Sequence, residues 1–535
     1  MRYQIVEISW NKIYLNLKLN EKITDTGFQF FITTKKDKKK YPIKLINGEY
    51  FKINITSIAD GDFLQNNEWY FKYSYNDSEL LLLPFSIQSI DIAQLDKIYR
   101  YSGNAYAYII TFTLKEIDNH YTYCMNTTFM KKNTDISKRN YNIEYKRKKR
   151  RIKEYLFFLT EKFIEKIYHF IAKLHNKKGK NILLMSETRV PMNGNLKALY
   201  DKMMERELNK DYKIDLYFSK TNQKNYYKTL MKHVKIAIKA AKADYIFIDD
   251  FCSFFKYINP SKNTQIIQLW HAGLGFKDVG YGRFGESGSP HPIYTPHHKN
   301  DYIVVGSQEL QNIYAEVFQC NTDRCLPYGL PRLDNYLNEN SIDTFKKDFY
   351  HKYPYLKNKK IILFAPTFRG NSPQTAYYPI DKLNQDKIAD ICGDDYVFVL
   401  KFHPYIKKKF IIDEKYQNII FDLSDFSDIN FLFYVTEILI TDYSSAIYEF
   451  SLFEKPILFY AFDEIEYTLT RGIHHSYKDN TPGKICRTLD DIYEAIKNQD
   501  FELEKVLEFK KKYHHNSKEN STDLIIDNLI LKNKT

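Results

Sequence analysis

Two histidines directly follow hydrophobic segments that predict buried strands. His271 stands in the motif QLWHAGLGFKDVGYG, and His403 stands in VLKFHP. An imidazole titrates near neutral pH, so it can accept the proton that an acceptor hydroxyl loses before its oxygen attacks phosphorus. A histidine after a strand is also often structural, and these residues alone leave both interpretations open.

A helix start after a strand is the second candidate, in the segment EILITDYSSAIYEFSLF. The strand ends at Thr441 and Asp442, and Ser444 and Ser445 open the helix. Backbone N–H groups, hydroxyls and the positive helix end together suit a phosphate. Ordinary capping by serine explains the same pattern. Glu449, one turn further on, is placed either to accept hydrogen bonds from ribose hydroxyls or to face solvent.

Three arginines stand beside turn residues. Arg332 occurs in GLPRLD, Arg369 in APTFRG and Arg471 in LTRG. A guanidinium group is the natural partner of a diphosphate because it donates several hydrogen bonds in one plane. Each arginine is individually also consistent with an ordinary surface position.

The elements that would position these residues alternate between strand and helix. This alternation predicts two successive α/β domains with parallel sheets, over residues 179–340 and 341–535. A cleft between such domains is the usual place for a nucleotide and its acceptor. The predicted strands are NILLMS, DLYFS, YIFIDD, TQIIQLW and YIVVG in the first domain, and KIILFAP, YVFVLKFHP, NIIFDL, EILITD and PILFY in the second.

The chain before these domains has a different pattern. Over residues 1–125, short apolar runs alternate with polar turns, which predicts an all-β accessory domain resembling a sandwich. The runs are YQIVEISW, IYLNLKL, FQFFITT, YFKYSY and AYIITFTL.

A basic segment joins the two parts, over residues 126–178. Residues 131–180 carry about twelve of the thirteen excess positive charges, so the charge is local. Apolar residues then recur every three or four positions, which predicts an amphipathic helix. Its sequence fits either a linker helix packed on its own protein or an anchor on an anionic membrane surface. The recurring residues are Ile152, Leu156, Leu159, Phe163, Ile167, Phe170 and Leu174.

Composition excludes several classes of protein. The 535 residues are 44% hydrophobic and 27% charged, which predicts a folded chain of two or three domains. Its six cysteines lack zinc-site spacing, and no Walker P-loop or HExxH motif occurs. No stretch of eighteen apolar residues and no leader pattern is present, so we expect neither secretion nor a membrane span.

Taken together and in order, seven segments resemble the CDP-glycerol glycerophosphotransferase family. This family includes teichoic acid polymerases and primases of Gram-positive bacteria and their capsule-making relatives. The resemblance covers roughly residues 180–500 and implies a GT-B-like pair of Rossmann-type domains with a central cleft. The segments are SETRVPMNGNLKALYDKM, QLWHAGLGFKDVGYG, YGLPRLD, APTFRG, LKFHP, ITDYSSAIYEF and FYAFDEIEYTLTRG.

The resemblance also implies roles for individual residues. It implies that His271 is the catalytic base, that His403 is a second catalytic residue at the donor pyrophosphate, and that Asn195 lies near the acceptor. The residues implied to bind the donor are Arg332, Thr367, Arg369, Thr441, Asp442, Ser444, Ser445, Glu449 and Arg471.

The expected reaction follows from this resemblance. It is transfer of glycerol phosphate from CDP-glycerol to a hydroxyl of a lipid-linked teichoic acid or capsular polymer, with release of CMP. Transfer of ribitol phosphate from CDP-ribitol and sugar transfer by a GT-B glycosyltransferase remain alternatives. We expect no metal, no cofactor and no nucleic acid partner, and a peripheral position at the cytoplasmic face of the membrane. A homo-oligomer stays open.

Overall fold

The computed structural model of the chain divides into two compact units. Unit 1 contains residues 1–159, 279–298 and 315–321, and unit 2 contains residues 160–278, 299–314 and 322–535. The four-part division expected from the sequence stays a prediction. The residues that the structure describes are 3–86, 96–101, 106–117, 120–131, 152–175, 179–188, 190–219, 226–271, 273, 279–285, 296–334, 336–370, 374–471, 477–514 and 520–532.

In the part of unit 1 that the structure describes, the strands form two antiparallel sheets. One has four strands in the order β1-β2-β6-β5, and the other has β4-β3-β7-β11-β10-β9 with β8 paired to β7. All five apolar runs predicted as strands are strands. The bounds are β1 Ile5–Asn11, β2 Tyr14–Leu19, β3 Phe28–Thr33, β4 Lys40–Ile43, β5 Leu45–Ile46, β6 Tyr50–Asn54, β7 Asn67–Tyr75, β8 Leu81–Leu82, β9 Lys97–Tyr101, β10 Tyr106–Ile117 and β11 His120–Lys131.

The core of unit 1 follows from strand alternation. In β2, Leu15, Leu17 and Leu19 are buried, whereas the residues between them are partly exposed, as expected for a strand with one face on a core. Two residues from a distant part of the chain, Tyr281 and Phe284, are buried in the same core. The end of the His271 motif and the residues just after it therefore complete the packing of this unit.

The described residues of unit 2 form two six-stranded sheets, and every pairing within them is parallel. Their orders are β13-β12-β14-β15-β16-β17 and β20-β19-β18-β21-β22-β23. All ten predicted strands are present, and the expected parallel arrangement is confirmed. The bounds are β12 Asn181–Ser186, β13 Lys213–Phe218, β14 Tyr245–Ile248, β15 Gln265–Gln268, β16 Tyr302–Val304, β17 Cys325–Leu326, β18 Lys360–Phe364, β19 Tyr396–Leu400, β20 Ile420–Asp422, β21 Thr436–Thr441, β22 Ile457–Tyr460 and β23 Lys484–Cys486.

Helices cover both faces of the first parallel sheet. Leu183 and Met185 of β12 pack with one set of helical residues, and Ile182 and Leu184 pack with another. Burial on both faces explains the continuous hydrophobic sequence of this strand. The helices are α1 Ile152–Leu174, α2 Gly194–Glu205, α3 Tyr226–Lys242, α4 Gln311–Phe318, α5 Glu339–Lys352, α6 Gln385–Cys392, α7 Ile429–Leu432, α8 Ala446–Phe450, α9 Glu464–Arg471, α10 Tyr477–Asn480, α11 Leu489–Lys497, α12 Leu503–Tyr513 and α13 Ser521–Ile525, which continues into a π-helix, Ile526–Leu531.

The helix predicted after the basic segment is present as α1, but its buried face is not the predicted stripe. Ile164 and Tyr168 are fully buried in the core beside the first parallel sheet. Tyr168 also accepts a hydrogen bond of 3.0 Å at its hydroxyl from the N–H of Ser261. Members of the predicted stripe stay exposed on the other side, namely Leu159, Phe163, Phe170 and Leu174.

The buried face fits the linker-helix interpretation, and the membrane-anchor interpretation stays a prediction. One face packs on the protein, and an apolar face remains uncovered among the described residues. The basic run at residues 146–151 lies outside the described residues. No helix within the described ranges has the length and apolarity that crossing a membrane requires.

Candidate active site

Candidate residues cluster where parallel strands end. In the first sheet, β14 runs into Asp249 and Asp250, and the neighbouring strand β15 runs into the turn that carries His271. The carboxyl ends of parallel strands meet at one edge, which is where α/β proteins usually bind their ligands. The alternation of strands and helices therefore places His271 beside the carbonyl of Asp249 and the carboxylate of Asp250, which are distant from it in sequence.

The turn before His271 is held by two buried side-chain amides. Trp270 has φ +49°, a left-handed conformation that a bulky residue adopts only when its surroundings impose it. Its N–H donates to Oε1 of Gln268 at 2.9 Å, and Nε2 of Gln268 donates to the carbonyl of Asp250 at 3.1 Å. Asn195 of α2 donates to the carbonyls of Leu269 and Trp270 at 3.2 and 2.6 Å.

The backbone determines the tautomer of His271. Its Nδ1 lies 3.1 Å from the carbonyl oxygen of Asp249, which only accepts hydrogen bonds. Nδ1 therefore carries the proton, and in the neutral imidazole Nε2 carries the lone pair. Nδ1 also lies 3.6 Å from Oδ1 of Asp250. This arrangement gives His271 the properties of a base acting through Nε2.

Asp250 is a functional candidate that the sequence analysis missed. Its carboxylate accepts hydrogen bonds from Oγ1 of Thr188 and from the N–H of Phe251, both at 2.7 Å. The available signal was the pair of aspartates at the end of the strand segment YIFIDD, because that strand neighbours the one leading to His271. Aspartates at strand ends are common, so the pattern alone would not have selected Asp250.

Asn195 connects two loops of unit 2. Beyond its two donated bonds, its Oδ1 accepts a hydrogen bond of 3.1 Å from the N–H of Arg332. The side chain is only 1% exposed, so the protein satisfies its amide internally. Its expected position near the acceptor stays a prediction, whereas its hold on the turn before His271 is structural.

Arg332 and Glu449 form an ion pair. A terminal nitrogen of the guanidinium contacts Oε1 of the carboxylate. Burial raises the pKa of Glu449, and the charge of Arg332 opposes that rise. The alternative in which Glu449 faces solvent is therefore wrong, since this residue is 4% exposed. Contact of either residue with the donor stays a prediction.

The turn after His271 requires a glycine for a steric reason. A Cβ atom on Gly273 would lie 2.3 Å from the ring of Tyr448, which belongs to α8. No side chain fits in that space. Gly273 thus lets the ring of Tyr448, in the helix that follows β21 of the second sheet, approach this turn.

Asp442 organises the end of β21 in the second sheet. Its Oδ1 accepts hydrogen bonds from the N–H and hydroxyl of Thr367, at 2.8 and 2.7 Å, and from the N–H of Tyr443 at 2.6 Å. The side chain is fully buried. Thr367 and Asp442, both expected at the donor, therefore lie together and bind each other.

Arg369 bridges two aspartates. It donates to Asp442 at 2.6 Å and makes a bidentate contact with Asp463, at 2.8 Å from Nε and 2.7 Å from the second terminal nitrogen. A further bond of 2.6 Å reaches the carbonyl of Thr367. Burial disfavours its charged form, but the carboxylates of Asp442 and Asp463 outweigh burial and raise the pKa of Arg369.

Aromatic rings surround the same guanidinium group. Four ring centres lie 5.2–5.7 Å from its central carbon, a distance at which the ring quadrupole attracts a cation. Arg369 is 5% exposed, so most of its hydrogen-bonding capacity is used inside the protein. Its expected contact with the diphosphate stays a prediction. The rings belong to Tyr378, Tyr443, Phe462 and Tyr467.

The predicted helix start after β21 is present. Helix α8 begins at Ala446, whose N–H donates to Oγ of Ser444 at 3.2 Å, whereas the side chain of the N-cap residue Ser445 makes no capping bond. Ser444 and Ser445 are partly exposed. The hydroxyl of Thr441 instead donates to the carbonyl of Ala365 at 2.7 Å and is fully buried. The two serines are thus better placed than Thr441 to contact a ligand.

His403 follows β19 and is oriented by its own loop. Its Nδ1 accepts a hydrogen bond of 3.2 Å from the N–H of Tyr405, so the neutral imidazole carries its proton on Nε2. The rings of Phe368 and Tyr405 lie 4.8 and 4.6 Å from it. His403 therefore presents a donor at Nε2, the opposite of His271, and a donor suits a phosphate oxygen.

One predicted donor-binding residue remains, Arg471. Arg471 is the last residue of α9, and its side chain lies outside the described part of the chain. Among the described residues, no group of three or more histidine, cysteine, aspartate or glutamate side chains is arranged to hold a metal ion.

A protein-family model matches the part of the chain that contains this site. The chain belongs to the CDP-glycerol:poly(glycerophosphate) glycerophosphotransferase family, whose model matches residues 167–531. The matched range includes both parallel sheets and every candidate residue named above.

Two relatives show the range of the family. The teichoic acid ribitol-phosphate polymerase TarL of Staphylococcus aureus is 36% identical over 375 residues, which are 70% of this chain and 66% of TarL. A teichoic acid glycerol-phosphate primase of Bacillus subtilis is 31% identical over 299 residues, 53% of this chain and 74% of the primase. The chain thus matches slightly less than two thirds of the length of TarL.

A solved structure supports the fold. The wall teichoic acid polymerase TagF matches with a TM-score of 0.56 and 22% identity, over 71% of this chain and 95% of that chain. This likeness confirms the mixed α/β architecture.

Proposed function

We propose that this protein transfers a polyol phosphate from a CDP-polyol to a hydroxyl of a polymer acceptor and releases CMP. The observation that carries the proposal is the hydrogen bond between Nδ1 of His271 and the carbonyl of Asp249. It is found in a chain that belongs to a family of glycerophosphotransferases. The carbonyl of Asp249 holds Nδ1 protonated, and this leaves Nε2 to accept the proton of the attacking hydroxyl.

The proposed reaction is one in-line displacement. The acceptor oxygen forms a bond to the β-phosphorus of the CDP-polyol, and the bond from that phosphorus to the bridging oxygen breaks. CMP leaves with the bridging oxygen and its electron pair, and Nε2 of His271 receives the hydroxyl proton. Groups that donate hydrogen bonds to the phosphates stabilise the charge that develops on them.

We propose direct donor contacts for three residues. His403 has its proton on Nε2, and Ser444 and Ser445 are partly exposed at the start of α8. We propose indirect roles for the buried residues of the same region, because their hydrogen bonds go to protein atoms. These residues shape the donor site by holding its loops, and they are Thr367, Arg369, Thr441 and Asp442.

The polyol is proposed to be ribitol, with glycerol as the alternative. Glycerol was the first expectation from the resemblance. Two ribitol-phosphate polymerases of Staphylococcus aureus are 36% and 34% identical to this chain, compared with 31% for the glycerol-phosphate primase of Bacillus subtilis. Lipid-linked teichoic acid or a capsular polymer is the proposed acceptor.

We also propose a peripheral position at the cytoplasmic face of the membrane, where lipid-linked acceptors would be met. The support is α1, on which Phe163, Phe170 and Leu174 are 52, 66 and 70% exposed. Exposed apolar residues along one helix face are what insertion into a lipid interface requires.

The test is CMP release from CDP-ribitol, CDP-glycerol and a hexose nucleotide, measured in parallel with a lipid-linked acceptor. We expect one CDP-polyol to be consumed and His271→Ala to lose at least about a hundredfold in rate, the scale of general-base removal. His351→Ala, on an exposed position of α5, is the matched control and should keep the wild-type rate.

Two further outcomes decide between the alternatives. Consumption of the hexose nucleotide without either CDP-polyol would replace the proposal by sugar transfer. Excess chelator should leave the rate within about twofold, because the proposed stabilisation comes from protein groups. Complete loss of turnover in chelator would show that a metal ion is required.

A further inference from the structure

Asp250 is held in a defined orientation beside the base. Its Oδ1 lies 3.6 Å from Nδ1 of His271 and accepts the N–H of Phe251 at 2.7 Å. Its Oδ2 accepts the hydroxyl of Thr188, also at 2.7 Å. Both oxygens are therefore engaged, and rotation of the carboxylate would break at least one short hydrogen bond.

Thr188 is itself anchored by its neighbour in sequence. Glu187, directly after β12, is 6% exposed and accepts hydrogen bonds from Oγ of Ser253 and the N–H of Phe254, at 3.0 and 3.1 Å. Its other oxygen lies 3.5 Å from Nε2 of His233. Burial disfavours the charged carboxylate, but interactions with His233, the N–H of Phe254 and Cys252 outweigh it and lower the pKa of Glu187. A fixed, ionised Glu187 thus holds the backbone that presents Thr188.

We propose that Thr188 and Asp250 are positioning residues for His271, in which Thr188 orients the Asp250 carboxylate and that carboxylate stabilises the protonated imidazole. The inference rests on the proposed function, which makes His271 the base. A carboxylate this close to a ring nitrogen favours the imidazolium that forms when the hydroxyl proton is transferred.

The groups around His271 support this assignment. The titratable side chain that follows β14 and lies at the imidazole is that of Asp250. Asp249 contributes its carbonyl, and its carboxylate is buried. The indole of Trp270 packs at 4.6 Å. From α8, Tyr448 contacts Gly273 of the same turn, and burial keeps its phenol neutral by raising its pKa.

The first test compares Asp250→Asn, Thr188→Val and Thr188→Ser. We expect the acidic limb of the kcat/KM profile to move to lower pH by about 1 unit in Asp250→Asn, and by less in Thr188→Val. Thr188→Ser keeps the hydroxyl and should keep the wild-type profile. Thr264→Val is the matched control, because its hydroxyl donates to the carbonyl of Ala243 at 3.1 Å at the opposite end of β15.

A second measurement does not depend on turnover. Diethyl pyrocarbonate modifies only the unprotonated imidazole, so the modification rate of His271, followed by peptide mass spectrometry across pH, reports its protonation. We expect the midpoint to move to lower pH in Asp250→Asn and Thr188→Val and to stay unchanged in Thr264→Val. An unchanged midpoint in Asp250→Asn would overturn the proposal. A shifted midpoint in a protein that consumes no CDP-polyol would leave the positioning role intact and refute the proposed function.

Discussion

The side-chain amide of Asn195 donates a hydrogen bond of 2.6 Å to the carbonyl of Trp270, the residue before His271. The same amide accepts the N–H of Arg332, and Arg332 is paired with Glu449. One buried residue thus connects the turn of the proposed base to an ion pair with α8. These contacts support a positioning role for Asn195, and the acceptor-binding role expected from the resemblance stays a prediction.

Replacement of Asn195 by leucine should lower kcat rather than raise the KM for acceptor. Leucine has a similar volume but leaves the carbonyls of Leu269 and Trp270 without their donor, so the turn shifts. A displacement of about 1 Å at a catalytic group can cost about a hundredfold in rate. Steady-state kinetics with varied acceptor would measure both constants. Asn528→Leu, which removes a bond of 3.0 Å from the π-helix to the carbonyl of Leu524 in α13, is the control. A raised acceptor KM at constant kcat would instead support direct acceptor binding.

Replacement of Arg369 by alanine should destabilise unit 2 strongly. The change leaves the buried Asp442 and the partly buried Asp463 without their cation, and breaking a buried ion pair costs about 3–5 kcal/mol. The free energy of unfolding in urea would measure it. Arg487→Ala is the control, since this 60% exposed arginine pairs with Glu464 at 2.8 Å and should change stability by less than about 1 kcal/mol. An equal loss of unfolding free energy in both variants would show that the ion pairs of Arg369 with Asp442 and Asp463 contribute no more to stability than an exposed ion pair.

Acidification should destabilise the protein through His514. Its Nε2 lies 2.6 Å from the carbonyl of Tyr448. Burial and the nearby charges of Lys510 and Arg332 lower its pKa to about 4, while the Tyr448 carbonyl opposes the shift. The unfolded chain therefore binds a proton between about pH 6.5 and 4 that the folded protein excludes, and stability falls as pH falls through this window.

The expected size of this effect is about 2 kcal/mol between pH 7 and pH 5. Unfolding free energies of wild-type and His514→Gln at both pH values would measure it, because glutamine can donate to the same carbonyl without titrating. The variant should lose correspondingly less stability on acidification. His351→Gln, at an exposed position, should behave as wild-type. The same pH dependence in wild-type and His514→Gln would assign the effect to other groups.

The exposed face of α1 should contribute to binding of anionic vesicles. Phe163→Ser, Phe170→Ser and Leu174→Ser together remove apolar area that would enter the lipid interface, so vesicle binding should weaken at least tenfold, about 1.4 kcal/mol. Vesicle sedimentation would measure it. Three exposed apolar residues elsewhere provide the control, Ile411, Ile465 and Leu507, each changed to serine. An equal loss in both triple variants would mean that α1 has no specific role at the membrane.

Much of the fold was predictable from local sequence pattern. All ten hydrophobic runs assigned to the two α/β domains became parallel strands, because strands covered by helices on both faces are continuously apolar. Helix α1 shows where this pattern stops being sufficient. Its periodicity predicted a helix, but only tertiary packing decided that Ile164 and Tyr168 are the buried residues.

The candidate site likewise has some features that the sequence predicted and others that only the tertiary structure shows. The sequence by itself determined the family, the strand ends that carry His271 and His403, and the serines at the start of α8. Tertiary structure alone brought Asp250 to His271 and placed Asp463, 94 residues away in sequence, against Arg369. The physical reason is that periodicity reports which face of an element is apolar, whereas a charged or hydrogen-bonding partner is set by which strands become neighbours.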